Sequence, residues 1–470
     1  MNYRVAICGA GPGGLVLARE LAKAGIDVCI YEKGDYAGLG HNWSDAVERI
    51  ALEAAGLEMP TLDGTLWKGA LVKTNDNPGG IFEPHAIPFL QLHSPDYSSV
   101  KLIEFRMITT DRRNLAQYML NEALTAGVKI KYGCEGIKLN YSETGEIGPH
   151  GVTVEGLKVK DLESGIVEDF TADLVVESSG FNSVLRCSLP DYTGMSRTFR
   201  DDEFALVNRE VRRRDQDKAH NDIIPDHYRY GFQTGYQWTH IHNEDLIDVG
   251  AGVRNDPKNP DPKDIIEEFI ARHDSILAEK VRGGRSLCIV GPPLHNFVTN
   301  GFLIIGDAAS TSVPTTGCGA GSAILVGLWA SEVIVEAASK GKNDIAALWG
   351  VNTKFYLDSN RGASLAALSA LRTVLQSLGD EKLSFLFRSN IMDKDTLENA
   401  VNGIFTMPTI NKKISTLFKG LFAPAVLLQL NSGISKGSRI FNHYKNYPSS
   451  WDPNAYEKWR SKAEVISKNS

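Results

Sequence analysis

The sequence lacks the features by which secreted, zinc-binding, membrane-spanning and nucleic-acid-binding chains are usually recognised. Its six cysteines are far apart and form no C-x-x-C or Cys/His spacing, so neither a disulfide framework nor a zinc site is indicated. No run of 18 apolar residues is present, and we therefore expect no membrane-spanning segment. The net charge of −7 argues against general affinity for nucleic acid. No charged and apolar leader precedes the first predicted strand, which favours a cytoplasmic protein with reduced thiols.

What the sequence does contain is the composition of an ordinary globular protein, with 42% apolar and 23% charged residues. A chain of 470 residues is long enough for two or three structural units and for a large hydrophobic core. We find no internal repeat and no low-complexity tract, so the chain has to be divided by its motifs.

The first 34 residues predict a strand, a glycine-rich turn, an amphipathic helix and a second strand. The turn has the spacing G-x-G-x-x-G, which lets the backbone approach a pyrophosphate at the positive end of a helix dipole. Glu32 ends the second strand, at the distance where a carboxylate binds ribose hydroxyls. A tight turn that binds nothing is the alternative. The predicted cofactor-binding residues of this segment are Gly9, Gly11, Pro12, Gly13, Gly14, Glu32 and Lys33.

A second strand–turn–helix pattern lies far along the chain. A buried strand, Phe302 to Ile305, leads into a Pro/Gly-rich loop, and we expect an apolar helix to begin near Ser322. The N–H groups of such a helix start stabilise the negative charge of a bound group. The alternative is a turn in which an aspartate serves only as a cap. The predicted cofactor-binding residues here are Gly306, Asp307, Gly317, Gly319 and Ala320.

A third segment, "ADLVVESSGFNSVLR", predicts a buried strand followed by a turn that contains Gly180. Before it, in "TTDRRNLAQYML", Arg112 offers a planar guanidinium, which suits a pyrophosphate. Arg113 is the rival residue, and a solvated helix face is the alternative for either arginine.

Together the three segments resemble the FAD-dependent flavoproteins that include aromatic hydroxylases and prenyl reductases. The resemblance implies FAD as the cofactor, Asp307 on its ribityl chain and Arg112 near its pyrophosphate. It also implies that Gly180 belongs to the middle motif of this group, where Ser179 replaces the usual aspartate. No second G-x-G-x-x-G indicates a separate nicotinamide domain. The external electron donor, ferredoxin or NAD(P)H, therefore stays open.

In "GYQWTHIHNEDLIDVGAGV" the residues Tyr236, Trp238, His240 and His242 alternate, so they share one face of a predicted strand. Such an aromatic face is suited to lining a pocket, and a packed or solvated sheet face is the alternative. No nearby carboxylate or cysteine completes a metal-binding set, and we predict no metal.

This strand, the loop after Asp307 and the C-terminal third resemble the geranylgeranyl reductase family. The resemblance covers about residues 1–448. It implies a FAD enzyme that saturates C=C bonds in the isoprenoid chain of a lipid, using hydride from reduced flavin and a proton. The family's strand motif, Tyr-x-Trp-x-Phe-Pro, is kept at Tyr236 and Trp238 but reads His240-Ile241 at its end.

The family also has a loop, often Pro-Cys-Gly followed by an acid, that faces the flavin and the substrate. It aligns with Asn42-Trp43-Ser44 and Asp45, so a tryptophan stands at the position of the family's cysteine. Reduction of an isolated alkene builds up positive charge at the branched carbon, which aromatic faces stabilise, and it needs a proton donor. His41 and His242 are further candidate donors. The predicted catalytic residues are Trp43, Asp45, Tyr236, Trp238 and His240.

Asp45 also has a purely structural interpretation. With Glu48 three residues later it resembles a capping box, and the apolar residues that follow recur at helical spacing. This pattern predicts a helix that begins at Asp45 and ends near Gly56.

The predicted fold class is α/β, with a Rossmann-like FAD-binding domain, an interleaved β-sheet substrate domain and a C-terminal helical region. The FAD-binding domain is predicted from residues 1–57, 106–189 and 299–340, the β-rich substrate domain from 58–105 and 190–298, and the helical region from 341–470.

Residues 411–446 contain six Lys/Arg and no Asp/Glu, together with the apolar run Leu421–Leu430. This composition suits peripheral docking on an anionic membrane or on a phosphate headgroup. The alternative is a helical layer packed on the core, with its lysines in water.

Two other functions stay open at this point. A flavin monooxygenase of the same superfamily would hydroxylate or epoxidise an apolar terpenoid or aromatic substrate, and the altered strand and loop motifs favour it. A FAD-binding sensor or lipid carrier would use the same nucleotide segments without catalysis.

Overall fold

The computed structural model describes residues 3–57, 85–219, 227–231, 235–242, 245–407 and 424–468. Within these ranges the strands form three sheets. In chain order the strands are β1 (Arg4–Cys8), β2 (Asp27–Glu32), β3 (Ser44–Glu48), β4 (His85–His93), β5 (Val100–Asp111), β6 (Lys129–Tyr132), β7 (Cys134–Glu143), β8 (Val152–Asp161), β9 (Val167–Thr171), β10 (Leu174–Glu177), β11 (Phe204–Arg214), β12 (His227–Gly231), β13 (Gly235–Ile241), β14 (Leu246–Arg254), β15 (Ile276–Ile289), β16 (Val298–Thr299) and β17 (Phe302–Ile304).

The α-helices of the same ranges cover the sheets and make up most of the C-terminal third. They are α1 (Pro12–Lys23), α2 (Arg49–Ala54), α3 (Arg112–Thr125), α4 (Val184–Cys187), α5 (Gln216–Ala219), α6 (Pro262–Ile270), α7 (Ala320–Ser339), α8 (Ile345–Leu348), α9 (Gly350–Thr353), α10 (Arg361–Leu375), α11 (Asp380–Arg388), α12 (Lys394–Val401), α13 (Pro424–Tyr444) and α14 (Pro453–Lys468).

The first sheet has the strand order β16-β17-β10-β1-β2-β6. Its central strand β1 runs parallel to β2 on one side and to β10 on the other. The apolar run of β1 is buried because both faces of a parallel sheet are covered. The carboxyl ends of these strands meet at one edge, where a doubly wound sheet binds its ligand. The Rossmann-like core predicted from the first motif is therefore present.

Two glycines let α1 and α7 cross closely on this sheet. A Cβ at Gly13 would lie 2.8 Å from the carbonyl oxygen of Ala323, and a Cβ at Gly327 would lie 2.5 Å from the carbonyl oxygen of Gly13. Both distances are shorter than van der Waals contact, so only glycine fits at the crossing. Because Gly13 and Ala323 lie in the first turns of their helices, the two N-termini come together at the carboxyl edge of the sheet.

Among the described residues, α7 is the one helix that is long and apolar enough, by length and composition, to cross a membrane. However, 72% of its most apolar 18-residue window is buried inside the protein. It packs against α1 and α2, so its place in the core explains its apolar composition.

The second sheet has the order β15-β11-β14-β13-β12-β4-β5-β3. Most neighbours are antiparallel, and β12 and β4 run parallel. The aromatic strand β13 lies in its middle, so the face that carries Tyr236 and Trp238 is flanked by β12 and β14. On the opposite face, α6 covers β14 and β11.

The helix predicted to begin at Asp45 is wrong in its first part. Residues Ser44–Glu48 form β3, which pairs with β5 from Ser44 opposite Asp111 to Glu48 opposite Met107. The helix begins only at Arg49, with Glu48 at its N-cap. Pairing with the distant strand β5 outweighs the local capping pattern, because a local helix preference is weak and tertiary contacts override it.

The predicted domain bounds differ from the observed pairing at two places. β3 and the end of β5, residues 106–111, were assigned to the FAD-binding domain but hydrogen-bond within the eight-stranded sheet. A third, three-stranded sheet, β7-β8-β9, lies between β6 and β10 in sequence. Already at Ser44, within the range predicted for the cofactor domain, the chain belongs to the eight-stranded sheet.

Helix α13 packs on α10, and glycines at the contact bring the two helices together. A Cβ at Gly433 would lie 2.8 Å from Val374, and one at Gly437 would lie 3.0 Å from Phe405. Helix α14 closes the fold through a cluster of aromatic rings on α9, α13 and α14 and the segments beside them: Trp349, Tyr356, Tyr444, Tyr447, Tyr456 and Trp459. Part of the basic segment predicted to dock on membranes, residues 411–423, lies outside the described residues.

Candidate active site

The N-termini of α1 and α7 are suited to binding anionic groups. Their N-cap residues are Gly11 and Gly319, and in neither helix does a side chain cap the free N–H groups or an acid occupy the first turn. By contrast, the Asp111 side chain caps α3 by accepting from the backbone N–H groups of Arg113 and Asn114. Free N–H groups at a helix start are the usual partners of phosphate. This arrangement fits the predicted dinucleotide.

Glu32 stabilises the glycine-rich loop after β1. Its carboxylate accepts hydrogen bonds at 2.7 Å from the N–H groups of Ala10 and Gly34. Gly9 has φ +97°, and a Cβ there would lie 2.6 Å from the carbonyl oxygen of Ser178. Lys33 is exposed beside this loop. The structure thus brings the predicted residues of the first motif to one edge of the sheet.

The second motif reaches the same edge. Ser312 Oγ donates to Asp307 Oδ1 at 2.8 Å, and Gly319 packs directly on this pair. Burial raises the pKa of the Asp307 carboxyl, while Ser312 and the charge of Arg112 lower it. Arg112 and Asp307 were chosen from segments almost 200 residues apart, and they interact electrostatically.

The middle motif takes a positive φ of 91° at Gly180, where a Cβ would meet no atom within 4 Å. Ser179, which stands at the aspartate position of related flavoproteins, donates its backbone N–H to Glu177 at 2.7 Å. The carboxylate of this turn is therefore supplied by Glu177, at the end of β10, instead of by residue 179.

Next to these cofactor motifs, β3 brings Asp45 between two arginines. Its Oδ2 lies 3.3 Å from Arg112 Nη1, and its Oδ1 lies 3.3 Å from Arg209 Nη1 on β11. Arg209 also donates to the carbonyl oxygen of Ser44. Burial alone would lower the pKa of Arg209, but Asp45 and Asp248 raise it far above its ordinary value. Asp45 is thus engaged by two guanidinium groups, one from α3 and one from β11.

Asp248, on β14, is the buried acid of this site. It is 1% exposed and accepts a hydrogen bond from Ser44 Oγ. Burial raises the pKa of the Asp248 carboxyl to about 6, although Arg209, Ser44 and Trp238 each lower it. A carboxyl with such a pKa holds a proton well above the ordinary range for aspartate.

Trp43 stacks on His41, with ring centroids 4.3 Å apart and planes inclined by 8°. Its ring also contacts Gly284 of β15, where a Cβ would lie 2.9 Å from Trp43 Cζ3. Desolvation by the surrounding atoms, together with the charge of Arg112, lowers the pKa of His41 to about 4. His41 is therefore neutral at pH 7 and is a poor acid.

A cavity of about 850 Å³ lies between the second sheet and helices α10 to α13. Its sheet side includes Val207, Arg209, Tyr236 and Trp238, and its helical side includes the apolar residues Leu368, Leu371, Leu375, Leu383, Phe387 and Leu430. Thr316 and Gly317, from the loop before α7, line it as well. The cavity thus extends from the Pro/Gly-rich loop before α7 into an apolar interior, a setting suited to a long hydrocarbon chain.

The aromatic strand places its predicted residues differently. The Tyr236 hydroxyl donates a hydrogen bond to the carbonyl oxygen of Thr316, which connects the strand to the Pro/Gly-rich loop before α7. Trp238 lies flat on β14 because Gly250 leaves room for the indole, and the Arg209 guanidinium lies over its ring at 4.9 Å. His240 is buried and its ring lies 6.4 Å from that of Phe105.

Of the five predicted catalytic residues, Tyr236 and Trp238 line the cavity, whereas Trp43, Asp45 and His240 do not. Among the described residues no group of three or more His, Cys, Asp or Glu is placed to hold a metal. Sequence reasoning missed Arg209 and Asp248. The sequence signal for each is a charged residue within an otherwise mostly apolar strand: Arg209 in "FALVNREV" and Asp248 in "LIDVGAGV".

We expect the Asp248→Asn substitution to change how stability depends on pH. The folded pKa of about 6 lies above the ordinary value, so the stabilising effect of the protonated carboxyl is fully present below about pH 4. It is lost as the pH rises through 6. Asparagine does not titrate. The free energy of unfolding of the variant, relative to the natural protein, should therefore rise by about 2 kcal/mol between about pH 4.5 and about pH 7.5.

Urea denaturation at the two pH values measures this difference. Asp256→Asn is the control with the opposite sign, because the backbone N–H of Lys258 lowers the pKa of Asp256. A relative stability of Asp248→Asn that does not change with pH would contradict the raised pKa.

The chain is similar in sequence and in fold to several known proteins. A family model described as an NAD(P)-binding Rossmann-like domain matches residues 7–56. The digeranylgeranylglycerophospholipid reductase of Sulfolobus acidocaldarius is 23% identical over 99% of this chain and 97% of its own. The reductase of the same name from Methanothrix thermoacetophila is 24% identical over 86% of this chain and 95% of its own.

Among solved structures, a geranylgeranyl bacteriochlorophyll reductase-like protein from Thermoplasma acidophilum superposes with a TM-score of 0.67, at 16% identity, over 92% of this chain and 99% of that one. A flavin-dependent brominase superposes with a TM-score of 0.58, at 17% identity, over 90% and 100%. The resemblance to geranylgeranyl reductases and the Rossmann-like fold predicted from the sequence are confirmed, and a flavin-dependent enzyme shares this fold.

Proposed function

We propose that this chain, a full-length relative of geranylgeranyl reductases, is a FAD-dependent reductase that saturates C=C bonds in the isoprenoid chain of a lipid. The observation that carries the proposal is the cavity, because it joins the loop at Thr316 and Gly317 to an apolar interior. At about 850 Å³ it lies in the upper range of ligand pockets. The relatives that match the whole chain are named for reduction of geranylgeranyl lipids.

FAD, when bound, supplies the hydride. The residues of the chain position the alkene and exclude water from it: leucines of α10, α11 and α13 form one wall, and Trp238 and Val207 form the other. Removal of the prenyl chain from water contributes about 25 cal/mol for each Å² that is buried. A dry cavity also keeps the positive charge that develops during reduction away from attack by water.

Of the candidate donors, Asp248 is best suited to hold the proton that reduction of the alkene requires. Its carboxyl is buried, its pKa is raised to about 6 by burial, and Ser44 connects it to the loop that follows the cofactor unit. The earlier candidates His41 and Asp45 are less suitable, because the first is neutral at pH 7 and the second is paired with two arginines. We propose that Asp248, through Ser44, supplies protons to the cavity.

The proposal is tested by reducing the FAD-loaded protein with dithionite under anaerobic conditions and adding a geranylgeranyl lipid. We expect reoxidation of the flavin and a product that is heavier by two hydrogens for each bond, detected by mass spectrometry. The fully saturated lipid serves as the control and should leave the flavin reduced. No reoxidation by prenyl lipids of several chain lengths would refute the function.

A monooxygenase is the second candidate, because a probable FAD-dependent monooxygenase from Pseudomonas aeruginosa has the same fold. It would consume oxygen with the substrate and leave a product that is heavier by one oxygen atom. The anaerobic result above separates the two, because a monooxygenase cannot turn over without oxygen. Ferredoxin and NAD(P)H, each tested in place of dithionite, identify the electron donor.

Peripheral association with a membrane is a further part of the proposal. Leu428, near the start of α13, is 72% exposed, and Ile404 and Met407, which line the cavity, are 41% and 48% exposed. These residues flank the basic segment 411–423 on either side. Exposed apolar residues next in sequence to a basic segment are typical of docking on anionic lipid, and flotation with anionic and with neutral vesicles measures this association.

A further inference from the structure

One wall of the cavity is polar, in contrast to the apolar walls described above. The residues that line it on α13 are spaced by three and four positions, so they form one face of the helix. On α10 two residues one turn apart extend this face. The polar wall consists of Asn431, Ser435, Ser438, Arg439 and Asn442 on α13 and of Arg372 and Gln376 at the end of α10.

Arg372 is the buried charge of this wall, with 7% of its surface exposed. Its Nη1 donates to Gln376 Oε1 at 2.8 Å, and its Nη2 donates to the main-chain oxygen of Asp202 at 3.0 Å. Its Nε has no acceptor among the described residues. Both acceptors are neutral, so this cation is not compensated by its hydrogen-bond partners.

The carboxylates near Arg372 are engaged elsewhere. Asp202 pairs with Arg200 at 2.9 Å, and Glu203 pairs with Arg197. Within the part of the chain that the structure describes, neither Arg372 nor Arg439 forms an ion pair. Burial lowers the pKa of Arg372 to about 10, while Asp202 and Glu203 act to raise it and Arg254 and Arg200 act to lower it. The two carboxylates and the two arginines around Arg372 balance each other, so the guanidinium of Arg372 is itself the uncompensated charge of this wall.

Helix α10 also gives the position of this charge relative to the cofactor. At its first residue, Arg361 Nε donates to Ser322 Oγ at 2.9 Å, in the first turn of α7. Arg372 follows eleven residues later, which corresponds to about 16 Å along the helix. The charge thus lies away from the end of α10 that contacts the cofactor-binding helix, with cavity-lining leucines on the same helix.

We propose that Arg372 and Arg439 bind the phosphate of a lipid headgroup and so select prenyl chains that end in an anion over neutral ones. This inference rests on the proposed function, since it assigns the polar end of the same cavity. Phosphate accepts several hydrogen bonds at once, which matches the free Nε of Arg372 and the hydroxyls of Ser435 and Ser438. The prenyl chain would then extend from this end along the leucines.

The test compares geranylgeranyl phosphate with geranylgeraniol, which share the chain and differ in the headgroup. Binding is measured by titration calorimetry on the FAD-loaded protein, and turnover is measured separately as anaerobic flavin reoxidation. We expect the natural protein to bind the phosphate about 30-fold more tightly. Arg372→Gln and Arg439→Gln should each lose most of this preference and keep the affinity for the alcohol, whereas Arg285→Gln, at an exposed arginine paired with Asp261, should retain it.

Equal affinity of the natural protein for the two ligands would overturn the headgroup site. The same holds if Arg439→Gln weakens both ligands equally, since the arginine would then support only the cavity wall. Inorganic phosphate is the third ligand: tight binding of it without preference for geranylgeranyl phosphate would mean a free-anion site instead of a lipid site. Preference for the phosphate without reoxidation would leave the headgroup site standing and refute the reductase.

Discussion

Replacing Gly9 by alanine is expected to abolish stable FAD binding. The residue has φ +97°, which costs an L-residue about 1–2 kcal/mol. In addition, the new Cβ would lie 2.6 Å from the carbonyl oxygen of Ser178, in the loop after β10. The two loops that line the cofactor edge would have to separate, and the N–H groups at the start of α1 would move with them. We expect FAD affinity to fall by about 100-fold or more.

Gly25 provides a matched control for this substitution. It follows α1, has φ +78°, and a Cβ there meets no atom within 4 Å. Gly25→Ala therefore has the same kind of backbone strain without the steric overlap, and it should retain FAD. The flavin-to-protein ratio and a fluorescence titration with FAD measure both variants, and the thermal midpoint of each apoprotein shows that it is folded. Equal FAD affinity of the two variants would contradict the argument.

Filling the cavity is expected to give the second large effect. Leu371 lines it from α10, and tryptophan at this position would occupy volume that the substrate needs. We expect kcat/KM for a prenyl lipid to fall by about 10- to 100-fold, which corresponds to the 1–3 kcal/mol typical of overpacking. The FAD content and the rate of reduction by dithionite should stay unchanged, because Leu371 is no part of the predicted cofactor motifs.

Two further variants separate a blocked cavity from a damaged fold. Leu124→Trp, at the exposed end of α3, introduces the same side chain away from the cavity and should keep full activity. Leu371→Ala enlarges the cavity and should keep most of the activity. If Leu371→Trp reduces a geranylgeranyl lipid as fast as the natural protein, then this cavity does not hold the substrate.

The cofactor site was predictable because each of its motifs is local. Gly9, Gly14 and Glu32 lie within one strand–helix–strand unit, and Asp307 and Gly319 lie within another. Their chemistry follows from the backbone geometry of a glycine turn at a helix start, which depends on few other parts of the chain. The parallel sheet then brings the two units together at one edge.

The acid site was not predictable in the same way. Ser44 and Asp248 are 204 residues apart and lie on β3 and β14, which four other strands separate in the sheet order, so only the curvature of the assembled sheet brings them into contact. The capping pattern of Asp45 and Glu48 favoured a helix, and long-range strand pairing reversed that preference. Likewise, the sequence identified the C-terminal helices but gave no information on which of their faces turns toward the sheet.

The order of the strands in the sheets also determines when each part of the fold can form during synthesis on the ribosome. Strand β10 lies between β1 and β17, so the first sheet cannot close until residue 304 has emerged. Helices α10 to α13 follow later still, and they form half of the cavity. Contacts between such distant segments make folding slow. The cofactor site is therefore completed only after two thirds of the chain has been synthesised, and the apolar cavity is enclosed after that, when α13 packs on α10.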